Sequence, residues 1–164
     1  MDITPITADD FRAFWPTFQA IVEAQETYAF DPNMDFDTAW RLWCELPQFT
    51  FVVKQDGELL GSYYLKPNAA GPGDHICNCG YMVTPQARGK GVARAMCEHS
   101  QQVAIDAGYL AMQFNAVVAT NEVAIRLWQK LGFEIIGTVP SGYRHRELGL
   151  VDTRIMYKRL TADA

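Results

Sequence analysis

Apolar positions along the chain fall first at helical spacing, then at strand spacing, and then alternate between the two. Ile3–Ile6 reads as a short strand. Thr7 is a natural N-cap for a helix that opens with Asp9 and Asp10, where the helix dipole favours negative charge. Phe11, Phe14, Trp15, Phe18, Ile21 and Val22 recur every three to four residues and predict its buried face, with Pro16 as a point for a kink. Tyr28–Asp35 reads as a loop and Phe36–Leu46 as a second helix with Ala39, Leu42 and Trp43 on one side. The period then changes. Phe49–Gln55 and Glu58–Lys66 flank Asp56-Gly57, a two-residue hairpin signal. After the Gly- and Pro-bearing loop Pro67–Asp74, the pattern predicts a strand over His75–Val83, a helix over Gly89–Ala107 ended by Gly108, and a strand over Tyr109–Val117. A helix over Asn121–Leu131 closed by Gly132 and strands over Phe133–Val139 and Val151–Lys158 complete the order.

That order is mixed α/β: an antiparallel front half, then a strand–helix–strand core that is locally parallel. At 164 residues with no internal repeat or linker, the chain reads as a single domain spanning 1–164. A net charge of −5 with no long basic run speaks against a nucleic-acid partner, because phosphate contacts need a basic footprint. No apolar run approaches the length of a bilayer span, and the N-terminus carries no basic-then-apolar leader. Reduced thiols at Cys44, Cys77, Cys79 and Cys97 fit a cytoplasmic protein better than a disulfide framework.

The segment most charged with chemistry is Val83-Thr84-Pro85-Gln86-Ala87-Arg88-Gly89-Lys90-Gly91-Val92-Ala93, between a predicted strand and a predicted helix. Free N–H groups and the dipole at such a helix start attract an anion. Gly89 and Gly91 remove side chains so that phosphate oxygens reach those amides, and Arg88 and Lys90 add positive charge. The following helix shows a core stripe of Val92, Met96, Val103 and Ala107. The Lys-Ser/Thr of a nucleotide P-loop is absent, and Arg94 stands where a dinucleotide fingerprint needs a third small residue.

The remaining pattern, Gln86-x-x-Gly89-x-Gly91 after a strand ending in Val83-Thr84-Pro85, resembles the pyrophosphate loop of the Gcn5-related N-acetyltransferases (GNAT). The later helix, Asn121 to Leu131 with Gly132-Phe133 behind it, resembles the one that follows the fifth strand in that family. Asn121 suits its N-cap, while Ala124, Leu127, Trp128 and Leu131 share one apolar face. The resemblance implies the GNAT fold: a mostly antiparallel mixed sheet flanked by helices, its central strands, here His75–Val83 and Tyr109–Val117, splayed to admit acetyl-coenzyme A as cosubstrate. Val83, Gln86, Arg88, Gly89, Lys90, Gly91, Val92, Ala93, Asn121 and Trp128 would then hold the cofactor. Many members place a tyrosine where this chain has Trp128, and an indole N–H is no proton source at neutral pH. A homodimer is also expected from the resemblance.

A finer similarity, carried by His75-Ile-Cys-Asn78-Cys-Gly80, Asn115, Asn121 and Pro140-Ser-Gly-Tyr143-Arg-His145…Gly149-Leu-Val-Asp152, points to acetyltransferases of azetidine-2-carboxylate and proline analogues. It implies that Asn78 orients the nucleophilic nitrogen, Asn115 holds the acceptor carboxylate and Asn121 binds the cofactor near the reacting carbonyl. Asparagine can do this without titrating. Glu26 and Asp31 stay open as candidate bases, and Arg144, His145 and Arg146, read as a loop, as carboxylate contacts or a solvated basic patch. His75, Cys77 and Cys79 share one strand face, but with no fourth ligand in view packing is favoured over a metal site. Asn78 faces the other way. The expected function is acetyl transfer to a small, amino-acid-like amine, with protein N-terminal acetylation and a non-catalytic acyl-coenzyme A sensor as alternatives.

Overall fold

The computed structural model describes residues 1–163; Ala164, the last residue of the predicted domain, lies outside them. Among the described residues, strands β1 (Asp2–Pro5), β2 (Phe49–Gln55), β3 (Glu58–Pro67), β4 (Ile76–Val83), β5 (Ala111–Val118), β6 (Glu134–His145) and β7 (Gly149–Arg159) form one sheet in the order β1-β2-β3-β4-β5-β7-β6. Helices α1 (Ala8–Ala24), α2 (Phe36–Trp40), α3 (Val92–Asp106) and α4 (Glu122–Lys130) flank it. Local signals hold where their chemistry is specific. Thr7 forms a full capping box with Asp10, Asn121 caps α4 through Ala124 N–H, and Asp56-Gly57 takes positive φ at both positions as a tight hairpin turn requires.

Other boundaries move. The second predicted helix is α-helical only to Trp40 and continues as a π-helical turn over Arg41–Glu45. The predicted helix Gly89–Ala107 starts at Val92, because Gly89 and Gly91 adopt left-handed φ of 76° and 80°. Its buried stripe is Val92, Met96, Cys97, Ser100 and Ala104, and Ala107 is exposed as the C-cap. The basic segment expected in a loop lies mostly in strand: β6 runs on to His145 and pairs Arg144 with Leu150, so only Arg146 turns the hairpin. Pro140 hid that continuation; it is tolerated because β6 is the edge strand and its register shifts between Val139 and Tyr143.

The pleat of the sheet divides two cores. Phe11, Phe14, Phe18 and Val22 of α1 join Trp43 and Met82 on one face. Met96 and Cys97 of α3, Trp128 of α4, Tyr63, Cys77, Cys79 and Phe114 pack on the other. Trp43 is fully buried and its indole N–H donates to Ser62 Oγ at 2.9 Å, which satisfies two polar groups in an apolar layer.

One irregularity positions the site. β4 and β5 run parallel but pair only at Ile76↔Ala111 and Cys77↔Met112, after which they separate. β5 adds a register shift between Phe114 and Val117 against β7. In the β3–β4 ladder, Thr84 N–H donates to Leu60 O and Asn68 N–H to Ile76 O, so even-numbered β4 residues form the hydrogen-bonded pairs. Because such pairs alternate, the backbone groups of Cys79, Tyr81 and Val83 point away from β3, into the gap.

Candidate active site

At the open end of that gap sits the glycine-bearing loop. A 3₁₀ turn over Pro85–Ala87, anchored by buried Ala87, leads through Arg88 to Gly89 and Gly91. Among the described residues, the N–H groups of Gly89, Gly91, Val92, Ala93 and Arg94 find no backbone acceptor. A Cβ built on Gly89 or Gly91 would meet nothing within 4 Å, so the space in front of these amides is free. Gln86, Arg88 and Lys90 are exposed around it, while Val92 is buried and Ala93 half-buried. A cluster of unpaired N–H groups, a helix start and two cations suits the pyrophosphate of a nucleotide-like cofactor.

The vertex of the gap is held by Asn78. Its side-chain amide donates to Gln113 O of β5 at 2.9 Å and its Oδ1 accepts from Tyr64 O–H at 3.1 Å. Asn78 is buried on the face opposite Cys77 and Cys79, which lie in the α3-side core. His75 falls outside β4 and is exposed, so the predicted alternating trio is a pair. Farther along β4, Tyr28 O–H donates to Tyr81 O at 2.9 Å, placing a hydroxyl at the gap's edge. The close approach of the two tyrosines depends on Gly80: a Cβ there would stand 2.4 Å from Tyr64 Cε2 and 3.0 Å from Tyr28 Oη. Tyr143 O–H donates to Tyr28 O at 3.1 Å and locks the α1–α2 connection to β6.

Burial pushes the Tyr28 hydroxyl far above the usual phenol range, and the neighbouring Tyr64 adds to this. Burial also raises Tyr64 and, with the charge of Glu26, Tyr143. These groups therefore stay neutral at physiological pH, as hydrogen-bond donors and acceptors rather than bases. Tyr143 stands in the motif that carries the finer similarity, without a role of its own, and Tyr28 and Tyr64 carry no signal in the sequence. Gly80 inside a strand was the available signal, since a strand glycine often marks close approach of another group.

Trp128 is buried against Tyr81 and Phe114, with ring centroids 5.1 and 5.2 Å away, on the α3 side of the gap. Asn121 caps α4 through Oδ1, 3.4 Å from Ala124 N, and its Nδ2 has no hydrogen-bond partner among the described residues. Asn115 is exposed; its amide donates to Asn68 Oδ1 at 2.7 Å and its Oδ1 accepts from Gln113 Nε2 at 3.0 Å. The structure thus brings Asn78 to the gap's vertex with Gln113 and Asn115 beside it, and places Asn121 at the start of a different element. Glu26 and Asp31 are exposed in the α1–α2 connection, and Asp31 lines an open cavity of about 340 Å³ together with Tyr28, Tyr143 and Arg144.

No helix of the described residues is long and apolar enough to cross a membrane. The chain is 40% identical over 98 residues to the N-acetyltransferase aca1 of Schizosaccharomyces pombe, covering 59% of this chain and 47% of that one. It spans less than half the length of the curated relatives it matches. Among solved structures it matches a GCN5-related N-acetyltransferase from Kribbella flavida with TM-score 0.91 and 43% identity, over 96% of each chain. The structure of yncA from Salmonella typhimurium, solved with its cofactor acetyl-CoA, superposes with TM-score 0.86 at 22% identity, over 100% of this chain and 96% of that one, which speaks for the fold. The model of the acetyltransferase (GNAT) family, whose members use acetyl-coenzyme A, matches residues 10–133. With the splayed strands and open amide loop in place, the chain belongs to the GNAT family of acetyltransferases.

Proposed function

We propose that this chain transfers the acetyl group of acetyl-coenzyme A to the amine of a small, amino-acid-like acceptor, with residues 1–164 acting as one acetyltransferase domain. The observation that carries the reading is the alignment of the β4–β5 gap with the free amides of Gly89, Gly91, Val92 and Ala93. The empty space where a Cβ would stand at both glycines fits a pyrophosphate at those amides. Arg88 and Lys90 would screen its charge, with Gln86 beside them, and Val83, Trp128 and Asn121 would border the arm that follows. Bound there, acetyl-coenzyme A supplies an activated thioester carbonyl.

The chain's own residues then orient and shield. Backbone N–H groups of β4 that face the gap are donors for developing carbonyl charge. Asn78, its amide orientation fixed by Tyr64 and Gln113, presents a remaining N–H and lone pair without titrating. Tyr28, whose proton is directed to Tyr81 O, offers oxygen lone pairs to an incoming N–H. With these hydroxyls neutral, the site favours acceptors that arrive deprotonated on their own. A peptide-type α-amino group titrates near 7.7–8.0 and a lysine side chain near 10.4, so the less basic amine offers the larger neutral fraction at physiological pH.

The proline-analogue similarity belongs to this proposal, supported by the placement of Asn78 and Asn115 on the two strands that flank the vertex. A cytoplasmic location is supported by the free cysteines, of which Cys77, Cys79 and Cys97 are buried. Homodimerisation is supported by exposed Ile135, Ile136 and Val139 on the edge strand β6. The test is release of free thiol from acetyl-coenzyme A across α-amino acids, azetidine-2-carboxylate, polyamines and peptides. Turnover of the amino acids is expected. Turnover confined to peptides would replace the reading with N-terminal acetylation. Tight cofactor binding without turnover of any acceptor would replace it with a sensor.

A further inference from the structure

The cavity between the α1–α2 connection and β6 is lined by Arg144, whose guanidinium has no carboxylate partner among the described residues. Its walls are Gln25, Tyr28 and Asp31 on one side and Gly142, Tyr143 and Arg144 on the other. β6 is pinned on both sides of Arg144: Tyr143 O–H donates to Tyr28 O at 3.1 Å, and Arg146 N–H donates to Gln25 O at 3.0 Å. The backbone of Arg144 is therefore held while its exposed side chain stays free, and no carboxylate lies within ion-pair distance of it among the described residues. Its basic neighbour is occupied. His145 Nδ1 accepts from Glu147 N–H at 3.1 Å and Leu148 N–H at 3.2 Å, closing the hairpin turn. Of the three basic residues in the segment, Arg144 alone lines the cavity.

One side chain links the cavity wall to the gap. Tyr28 forms part of its wall, and the hydroxyl of the same residue reaches Tyr81 O on β4. Asn115, the residue that the family resemblance suggests for a carboxylate, has its amide engaged by Asn68 and Gln113. Asp31 on the facing wall holds Asn33 N–H at 2.9 Å through one oxygen. Its charge offsets that of Arg144, so a small molecule in the cavity meets one cation and one anion.

We propose that Arg144, and not Asn115, recognises the carboxylate of the acceptor, and that this ion pair makes the protein prefer free amino acids over neutral amines. The inference rests on the acetyltransferase reading and deepens it by naming how the acceptor class is chosen. A guanidinium takes a carboxylate through paired hydrogen bonds in a fixed plane, which an amide cannot match.

The experiment compares kcat/KM, expressed per unprotonated amine, for matched pairs, an L-amino acid against its carboxamide, in the wild type, R144Q and R144K. The wild type is expected to favour the acid about tenfold, the size of a partly exposed charge-assisted pair. R144Q should bring the ratio near one through a raised KM for the acid, with the carboxamide and acetyl-coenzyme A unchanged, and R144K should recover part of the preference. A ratio that survives in R144Q, or a wild type that turns over acid and carboxamide alike, overturns the assignment and leaves the acetyltransferase reading standing. Absence of turnover of every acceptor in the wild type overturns both.

Discussion

Replacing Gly91 by Val tests the loop in a way that separates backbone strain from loss of the anion site. Gly91 has φ of 80° and a Cβ added there meets nothing within 4 Å, so the unliganded protein suffers no clash. The cost is conformational: a β-branched residue held in the left-handed region loses roughly 1–2 kcal/mol. For a chain of this length that corresponds to a melting temperature lower by about 2–8 °C. Acetyl-coenzyme A at a hundred times its Kd should stabilise the wild type by about 2.7 kcal/mol, a rise of about 5–11 °C. In G91V the isopropyl group fills the space in front of the free amides, and that rise should vanish. G57V is the matched control. Gly57 has φ of 79° and equally open surroundings, but sits in the β2–β3 hairpin. It should lose similar stability and keep the full ligand response. Thermal melts of the three proteins with and without acetyl-coenzyme A decide the matter. If G91V melts lower yet keeps the ligand-induced rise, the cofactor does not use these amides.

Gly80→Ala drives a methyl group to within 2.4 Å of Tyr64. It should lower the urea midpoint by the equivalent of about 1–3 kcal/mol and reduce turnover; an unchanged midpoint would mean that the Tyr64 ring moves aside freely. Tyr28→Phe removes the donor to Tyr81 O and should slow acetyl transfer several-fold while costing about 1–3 kcal/mol of stability, measured as kcat beside a denaturation curve; a wild-type kcat would remove Tyr28 from the site. Burial lowers the pKa of His99, so the unfolded chain binds the proton more readily. Its stabilising effect is present above about 6.5 and is lost as pH falls through the window beneath that value. Urea midpoints at pH 7.5 and 5.5 should therefore fall less in H99Q than in the wild type, and equal falls would refute the assignment.

Where a residue's local chemistry decides its conformation, the sequence was legible. Thr7, Asn121, Asp56-Gly57 and Gly132 act at the helix ends and turn that they predict, because each satisfies orphan backbone groups or a positive φ without help from distant residues. The free amides after Gly89 follow from the same kind of signal. What escaped depends on tertiary partners. β6 continues past Pro140 because pairing with β7 outweighs a local breaker on an edge strand. The stripe of α3 is turned toward Cys97, Ser100 and Ala104 because that is the face the sheet covers, and polarity alone gave Ser100 no claim to burial. Tyr28, Tyr64 and Tyr143 come from the α1–α2 connection, β3 and β6. Only the fold reveals that Tyr28 and Tyr64 close on Gly80 and that Tyr143 holds Tyr28 from behind.

The pleat of β4 accounts for how one strand serves two sets of groups. Odd-numbered residues send their side chains, Cys77, Cys79 and Tyr81, into the α3-side core beside Trp128, and beyond the Cys77–Met112 pair they direct their backbone into the gap. Even-numbered residues send Asn78 and the bare face of Gly80 toward Tyr28 and Tyr64. A shift of one residue in the β3–β4 register would exchange these faces and break the Asn78 bridge, so the register is itself part of the site. The groups on the Asn78 side are neutral, because burial keeps the Tyr28 and Tyr64 hydroxyls protonated. On the other side, Trp128 contributes a ring and no acid. On the proposed reading, protons then move with the acceptor and solvent, not through a titrating side chain at the vertex. Selection falls on the amine's own pKa and on the charge beside it, which is the discrimination that an unpaired guanidinium at Arg144 is placed to make.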